Sequence, residues 1–168
     1  MISLSSISDN YIESIIKENK DPEWLAALRQ KALSKYLSLP SEVSPLYAKY
    51  SDVNRIRPEQ IYLPNPVEKT VSHAKPHEEL QHRLNELGHE DTSIVQIGSS
   101  VNQIIVPEKI LNQGVIISDI RDSLLKYDDL IKNWLLANEL QYSEDKFLAL
   151  EAAAFISGTG SFSNTSLF

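Results

Sequence analysis

The sequence contains no cysteine. That excludes disulfides, thiolate zinc sites, a cysteine nucleophile and any cysteinyl iron–sulfur ligand supplied by this chain. Glycine is scarce, with 5 in 168 residues. The one Gly-x-Gly, Gly158-Thr159-Gly160, follows a helical pattern and has no Lys after it. It reads as a helix stop rather than a phosphate cradle, which needs a preceding strand and a following Lys-Ser/Thr. Basic side chains are outnumbered, 16 Lys plus Arg against 23 Asp plus Glu, for a net charge of −7 and a pI near 5.1. Such a chain lacks the dense basic face that displaces counterions from nucleic acid, and it is no polybasic membrane-surface module. Long apolar runs are missing as well. The longest, Phe147 to Ile156, contains Glu151 and falls short of the roughly 20 residues that span a bilayer. The first ten residues hold neither Lys nor Arg and no signal-peptide core. The expected address is the cytoplasm, with neither nucleic acid nor membrane as partner.

Proline and hydrophobic periodicity divide what remains. Of 8 prolines, 6 lie between Pro40 and Pro76, a stretch without glycine. Because proline fixes φ and pushes its predecessor toward extended backbone, residues 41–75 are expected to form a long extended linker. Residues 1–40 before it read as a helical hairpin. Asp9 opens a helix with Ile12, Ile15 and Ile16 on one face. A second helix has Asp21 as expected N-cap, Pro22 in its first turn, and a stripe of Trp24, Leu28, Ala32 and Tyr36 widened by Leu25, Leu33 and Leu37.

Residues 76–160 read as an α/β unit. Pro76 starts a helix with Leu80, Leu84 and Leu87 on one face and Gly88 beyond its end. Ile94–Ile97 and Val101–Val106 then alternate as two strands about Gly98-Ser99, with Val115–Ile117 as a short third. A four-turn helix is expected from Ser118 or Asp119 through Leu135, carrying Leu124, Ile131 and Trp134. A last helix, capped by Ser143, places Phe147, Leu150 and Ala154 inside and stops at Gly158. Residues 161–168 are expected to fray. The fold class is thus α+β and mostly helical: an N-terminal bundle-like unit, a Pro-rich linker, and a short antiparallel hairpin packed with C-terminal helices.

Candidate chemistry is thin. His73, His77, His82 and His89 lie within one stretch beside Glu78, Glu79, Glu86, Glu90 and Asp91. Glu78 and His82, four apart, share a helix face and could ligate a metal. Their spacing matches neither HExxH nor a two-His finger, and a solvated helix explains it as well. No serine sits in GxSxG. Asp128-Asp129 reads as a wetted helix face, and both tryptophans as core anchors. No catalytic, cofactor-binding or metal residue is assigned, and the chain is not expected to be an enzyme.

Three segments carry a family resemblance. DPEWLAALRQKALSKYLSLP, residues 21–40, resembles the N-terminal helix of the SufB/SufD iron–sulfur cluster assembly proteins. There an acidic-Pro-x-Trp-Leu start precedes Arg-x-x-Ala-Leu and an aromatic before Leu-Pro; here Asp21, Pro22, Trp24, Leu25, Arg29, Ala32, Leu33, Tyr36, Leu39 and Pro40 fill those places. GVIISDIRDSLLKYDDLIKNWL, residues 114–135, is similar to the family's glycine-hydrophobic strand and following helix. EDKFLALEAAAFISGTGSF, residues 144–162, is similar to its Asp-Lys-Phe-x-Ala-Leu stretch, through Asp145, Lys146, Phe147, Ala149, Leu150, Phe155, Gly158 and Thr159. The likeness is slightly closer to SufD than to SufB. It implies a non-catalytic scaffold subunit, with a SufC-like ATPase and a SufB/SufD paralogue as partners and the iron–sulfur cluster handled by the full complex. Members of the family continue into a parallel β-helix bearing the cluster-handling residues, so this chain is expected to be the N-terminal region only, truncated where the β-helix would begin. Open strand edges then invite a homo-oligomer. The rival readings are an unrelated helical adaptor and a small metal-dependent hydrolase built on the histidine-rich helix.

Overall fold

In the computed structural model the described residues are 2–41, 55–66, 78–88, 90–98, 100–137 and 142–162. In chain order they form β1 (Ile2–Ser3), a 3-10 turn, α1 (Asp9–Asn19), α2 (Glu23–Ser38), a second 3-10 turn at Pro58–Gln60, β2 (Tyr62–Leu63) and α3 (Glu78–Glu86). There follow β3 (Ser93–Ile97), β4 (Ser100–Ile105), α4 (Glu108–Leu111), β5 (Ile116–Asp119), α5 (Ile120–Lys126), α6 (Asp128–Ala137), α7 (Lys146–Ala154) and β6 (Thr159–Phe162). The architecture is mixed α/β. It divides into two compact units, residues 1–68 with 127–156, and residues 69–126 with 157–168.

The core of the first unit is helical. α1 starts after an extended Ser8 and ends at Lys20, whose φ of 55° puts it in the left-handed region while its N–H closes onto the Ile16 and Lys17 carbonyls. Ile12 and Ile15 are fully buried, as their spacing predicts. α2 buries Leu25, Leu28, Ala32, Leu33 and Tyr36 against α7 and α1. Leu37, expected to widen that stripe, is exposed. Asp21 is not the cap of α2: Pro22 holds that position, its carbonyl accepting from the Leu25 and Ala26 amides, because the Asp21 carboxylate is taken by Arg29. Residues 55–66, part of the expected linker, run against the N-terminus. β2 pairs antiparallel with β1, and the Tyr11 hydroxyl donates to the Pro64 carbonyl at 3.0 Å. The rest of the expected linker, residues 42–54 and 67–75, lies outside the described residues.

The expected four-turn helix of residues 118–135 is broken at Tyr127 into α5 and α6. Asp128 and Asp129 occupy the first turn of α6, where the helix dipole favours carboxylates. Within α6, Ile131 is buried, but Trp134, on another side of the same helix, is 57% exposed and is no core anchor. α7 is capped by Asp145, which accepts from the Phe147 and Leu148 amides, rather than by Ser143. The tight face of α7 is its alanines, Ala149, Ala152 and Ala153, while Phe147, expected inside, is 38% exposed. The helix stops at an extended Phe155, not at Gly158.

In the second unit, β3 and β4 form an antiparallel hairpin with an irregularity at Val95/Gln96. Gly98 takes the positive φ of 59° that the tight turn demands. The third strand forms as β5, but it pairs antiparallel with β6, bringing Ile116 opposite Phe162 and Asp119 opposite Thr159. Ser161 and Phe162, expected to fray, therefore belong to a strand; residues 163–168 lie outside the described residues. Asp119 accepts from the Arg121 amide at 2.8 Å and so starts α5, and the Ile120 amide donates to the Gly158 carbonyl at 3.0 Å.

Candidate functional site

The chemistry-bearing side chains of the first unit converge where α2 meets α7. At position 29 a guanidinium sits in the buried stripe of α2, with Leu25, Ala32 and Tyr36. Arg29 Nε donates to Asp21 Oδ2 at 2.6 Å, and both side chains are 0% exposed. Arg29 Nη1 donates to the Ala153 carbonyl at 3.1 Å and to the Phe155 carbonyl at 2.7 Å. The Phe155 ring lies over the guanidinium, 4.0 Å from its carbon to the centroid. A charge-assisted fork thus closes the last turn of α7, where carbonyls lack intrahelical partners.

Burial pushes the Asp21 carboxyl above its usual range and the Arg29 guanidinium below its own; their mutual attraction opposes both shifts without cancelling them. Asp21 Oδ1 and Arg29 Nη2 are buried without a hydrogen-bond partner among the described residues. Desolvation outweighing pairing is what physics expects of an ion pair shut away from water.

At the opposite end of the same helix pair the roles reverse. Lys146, at the start of α7, donates from Nζ to the Tyr36 and Leu39 carbonyls, each at 2.8 Å, and lies 4.8 Å from the Tyr36 ring centroid. The ammonium satisfies terminal carbonyls of α2 and complements its dipole. α2 and α7 therefore run antiparallel, pinned by a cation at each end. Trp24 Nε1 adds a tie to α6, donating to Asp128 Oδ1 at 2.7 Å; Asp128 is thus a hydrogen-bond acceptor and not merely a wetted acid.

The histidine cluster gains no support as a metal centre. His82 lies on an exposed face of α3, its Nδ1 3.3 Å from Glu86 Oε1, and both side chains are well exposed. Among the described residues no group of three or more His, Cys, Asp or Glu could hold a metal ion; His73, His77 and His89 lie outside them. No helix among the described residues is long and apolar enough to cross a membrane. Arg29 and Lys146 escaped a reading by residue type, which places charges on surfaces. Spacing held the clue for Arg29, which falls four after Leu25 and seven before Tyr36, inside the apolar stripe.

What these features define is a mixed α/β protein in whose first unit the buried Arg29 and the part-buried Lys146 close helix ends. Over 158 residues the chain is 26% identical to an iron-sulfur cluster assembly SufBD family protein of Pyrococcus horikoshii, covering 91% of this chain and 35% of that protein. Over 155 residues it is 24% identical to the iron-sulfur cluster assembly protein SufD of Bacillus subtilis, covering 88% of this chain and 33% of that protein. These similarities bear out the resemblance to the SufB/SufD family. The chain spans about a third of the length of these curated relatives. No family model matches it, and no solved structure does.

Proposed function

We propose that the chain is a non-catalytic, protein-interacting module of a SufB/SufD-like scaffold subunit in iron–sulfur cluster assembly, corresponding to the N-terminal region of a longer family member. One observation supports this reading above others. The three segments that resemble the family are the ones tied together by side chains: Trp24 to Asp128, Arg29 to Phe155, and Lys146 to Tyr36 and Leu39. The distinctive residues are spent on closing helix ends, which is the work of a scaffold rather than of a reaction centre. A cluster would be cargo here. Its thiolate ligands would come from elsewhere in the complex, since this chain has no cysteine. A SufC-like ATPase and a SufB/SufD paralogue are the proposed partners, and the cytoplasm the proposed compartment.

The test is a chimera in which this chain replaces the matching third of Bacillus subtilis SufD. The expected result is co-purification with the ATPase and the paralogue and restored cluster assembly in cells lacking SufD. A chimera that folds, by circular dichroism and cooperative melting, yet binds neither partner would overturn the proposal.

A further inference from the structure

Only one prong of the Arg29 fork is closed. A guanidinium presents its Nε–H and one Nη2–H side by side in a plane, spaced to meet both oxygens of one carboxylate. Here Nε donates to Asp21 Oδ2 at 2.6 Å. The other prong, Nη2, and the other oxygen, Asp21 Oδ1, are buried without a hydrogen-bond partner among the described residues. Nη1 is already engaged by the Ala153 and Phe155 carbonyls, and the Phe155 ring covers one face of the group. The open donor and the open acceptor therefore share the edge at which Arg29 meets Asp21. Both belong to side chains that are 0% exposed.

Buried polar atoms are nearly always satisfied, by protein or by ordered water. The chemistry of these two narrows the occupant. A cation is repelled by the guanidinium, an anion by the carboxylate, and an apolar group leaves both atoms open. The occupant has to be neutral, accept from Nη2, donate to Oδ1 and be small enough to sit against a single ion pair. Water meets all four conditions. Tyr11, the nearby ionisable group whose charge acts on Arg29, is no substitute, because its hydroxyl donates to the Pro64 carbonyl at 3.0 Å.

We propose that one internal water completes the α2–α7 junction, accepting from Arg29 Nη2 and donating to Asp21 Oδ1. The ion pair is then a fork with one direct and one water-mediated prong. The proposal stands whether or not the chain serves cluster assembly.

Nuclear magnetic resonance of the full chain tests it. Cross-relaxation is expected between water and the carbon-bound Asp21 Hβ and Arg29 Hδ protons, with the sign of a water that tumbles with the protein. Carbon-bound protons do not exchange with solvent, so chemical exchange cannot imitate that signal. It should persist undiminished in a cooperatively melting Tyr11→Phe variant, which removes the nearby hydroxyl as a relay. A crystal structure of the same chain should place one water about 2.7–3.2 Å from both Arg29 Nη2 and Asp21 Oδ1. No cross-relaxation at either residue, or its loss in Tyr11→Phe, would overturn the proposal. So would a crystal structure in which Nη2 donates directly to Oδ1 or to another group of the protein.

Discussion

Replacing Arg29 with methionine tests the reading of the α2–α7 junction most sharply. The substitution keeps most of the aliphatic volume but strands the Asp21 carboxylate, which is 0% exposed and already has one oxygen without a partner. It also frees the Ala153 and Phe155 carbonyls. Removing one member of a buried pair costs about 3–5 kcal/mol, because the survivor is an uncompensated charge. Total stability of about 5–15 kcal/mol makes that a large fraction. The melting temperature should fall by about 6–20 °C, at roughly 2–4 °C per kcal/mol for a chain this long. Both tryptophans, Trp24 and Trp134, lie in the first unit, so urea unfolding followed by their fluorescence reports on the affected part. Asp21→Leu should be similarly damaging alone. The double variant should cost no more than either single one, so the coupling energy should be about 3–5 kcal/mol, at or above the top of the range usual between touching residues. The reasoning fails if Arg29→Met costs less than about 1 kcal/mol, or if the single costs add to within about 0.5 kcal/mol.

Two further outcomes follow from the same junction. Lys146→Met removes both bonds to the Tyr36 and Leu39 carbonyls and should cost about 1.5–3 kcal/mol, the scale of hydrogen bonds from a charged group; amide exchange should quicken first at the C-terminal turn of α2. Burial raises the pKa of Tyr11, against a smaller pull from Arg29, and that of Tyr36. Their contribution is therefore fully present below the unfolded phenol value near 10 and is lost as pH rises through the higher folded values. Alkaline denaturation monitored by tyrosinate absorbance should be blunted in Tyr36→Phe; an identical alkaline profile would contradict the burial argument.

Much of the local structure was legible in the sequence, and for local reasons. Isoleucines and leucines at helical spacing marked α1 and α2, β-branched alternation about Gly98 marked β3 and β4, and the acidic residues opening α3 agree with the helix dipole. Three ordered motifs were enough to point to the SufB/SufD family. What spacing left undecided was which face each element would turn to a neighbour. A stripe over residues 120–135 looked continuous, yet the helix breaks at Tyr127, and Trp134 turns outward while Ile131 turns in. Asp21 had the sequence position of a helix cap and became half of a buried ion pair instead, because Arg29, eight residues on, donates to its carboxylate. β5 could be foreseen as a strand, but not its pairing with β6 some forty residues later. Helix periodicity, turn residues and caps depend on neighbours within about four positions, and one sequence reveals them directly. The partners of a carbonyl at the end of α7 or of an amide along β5 depend on chain closure over long separations, and only the folded arrangement settles which side chain arrives there.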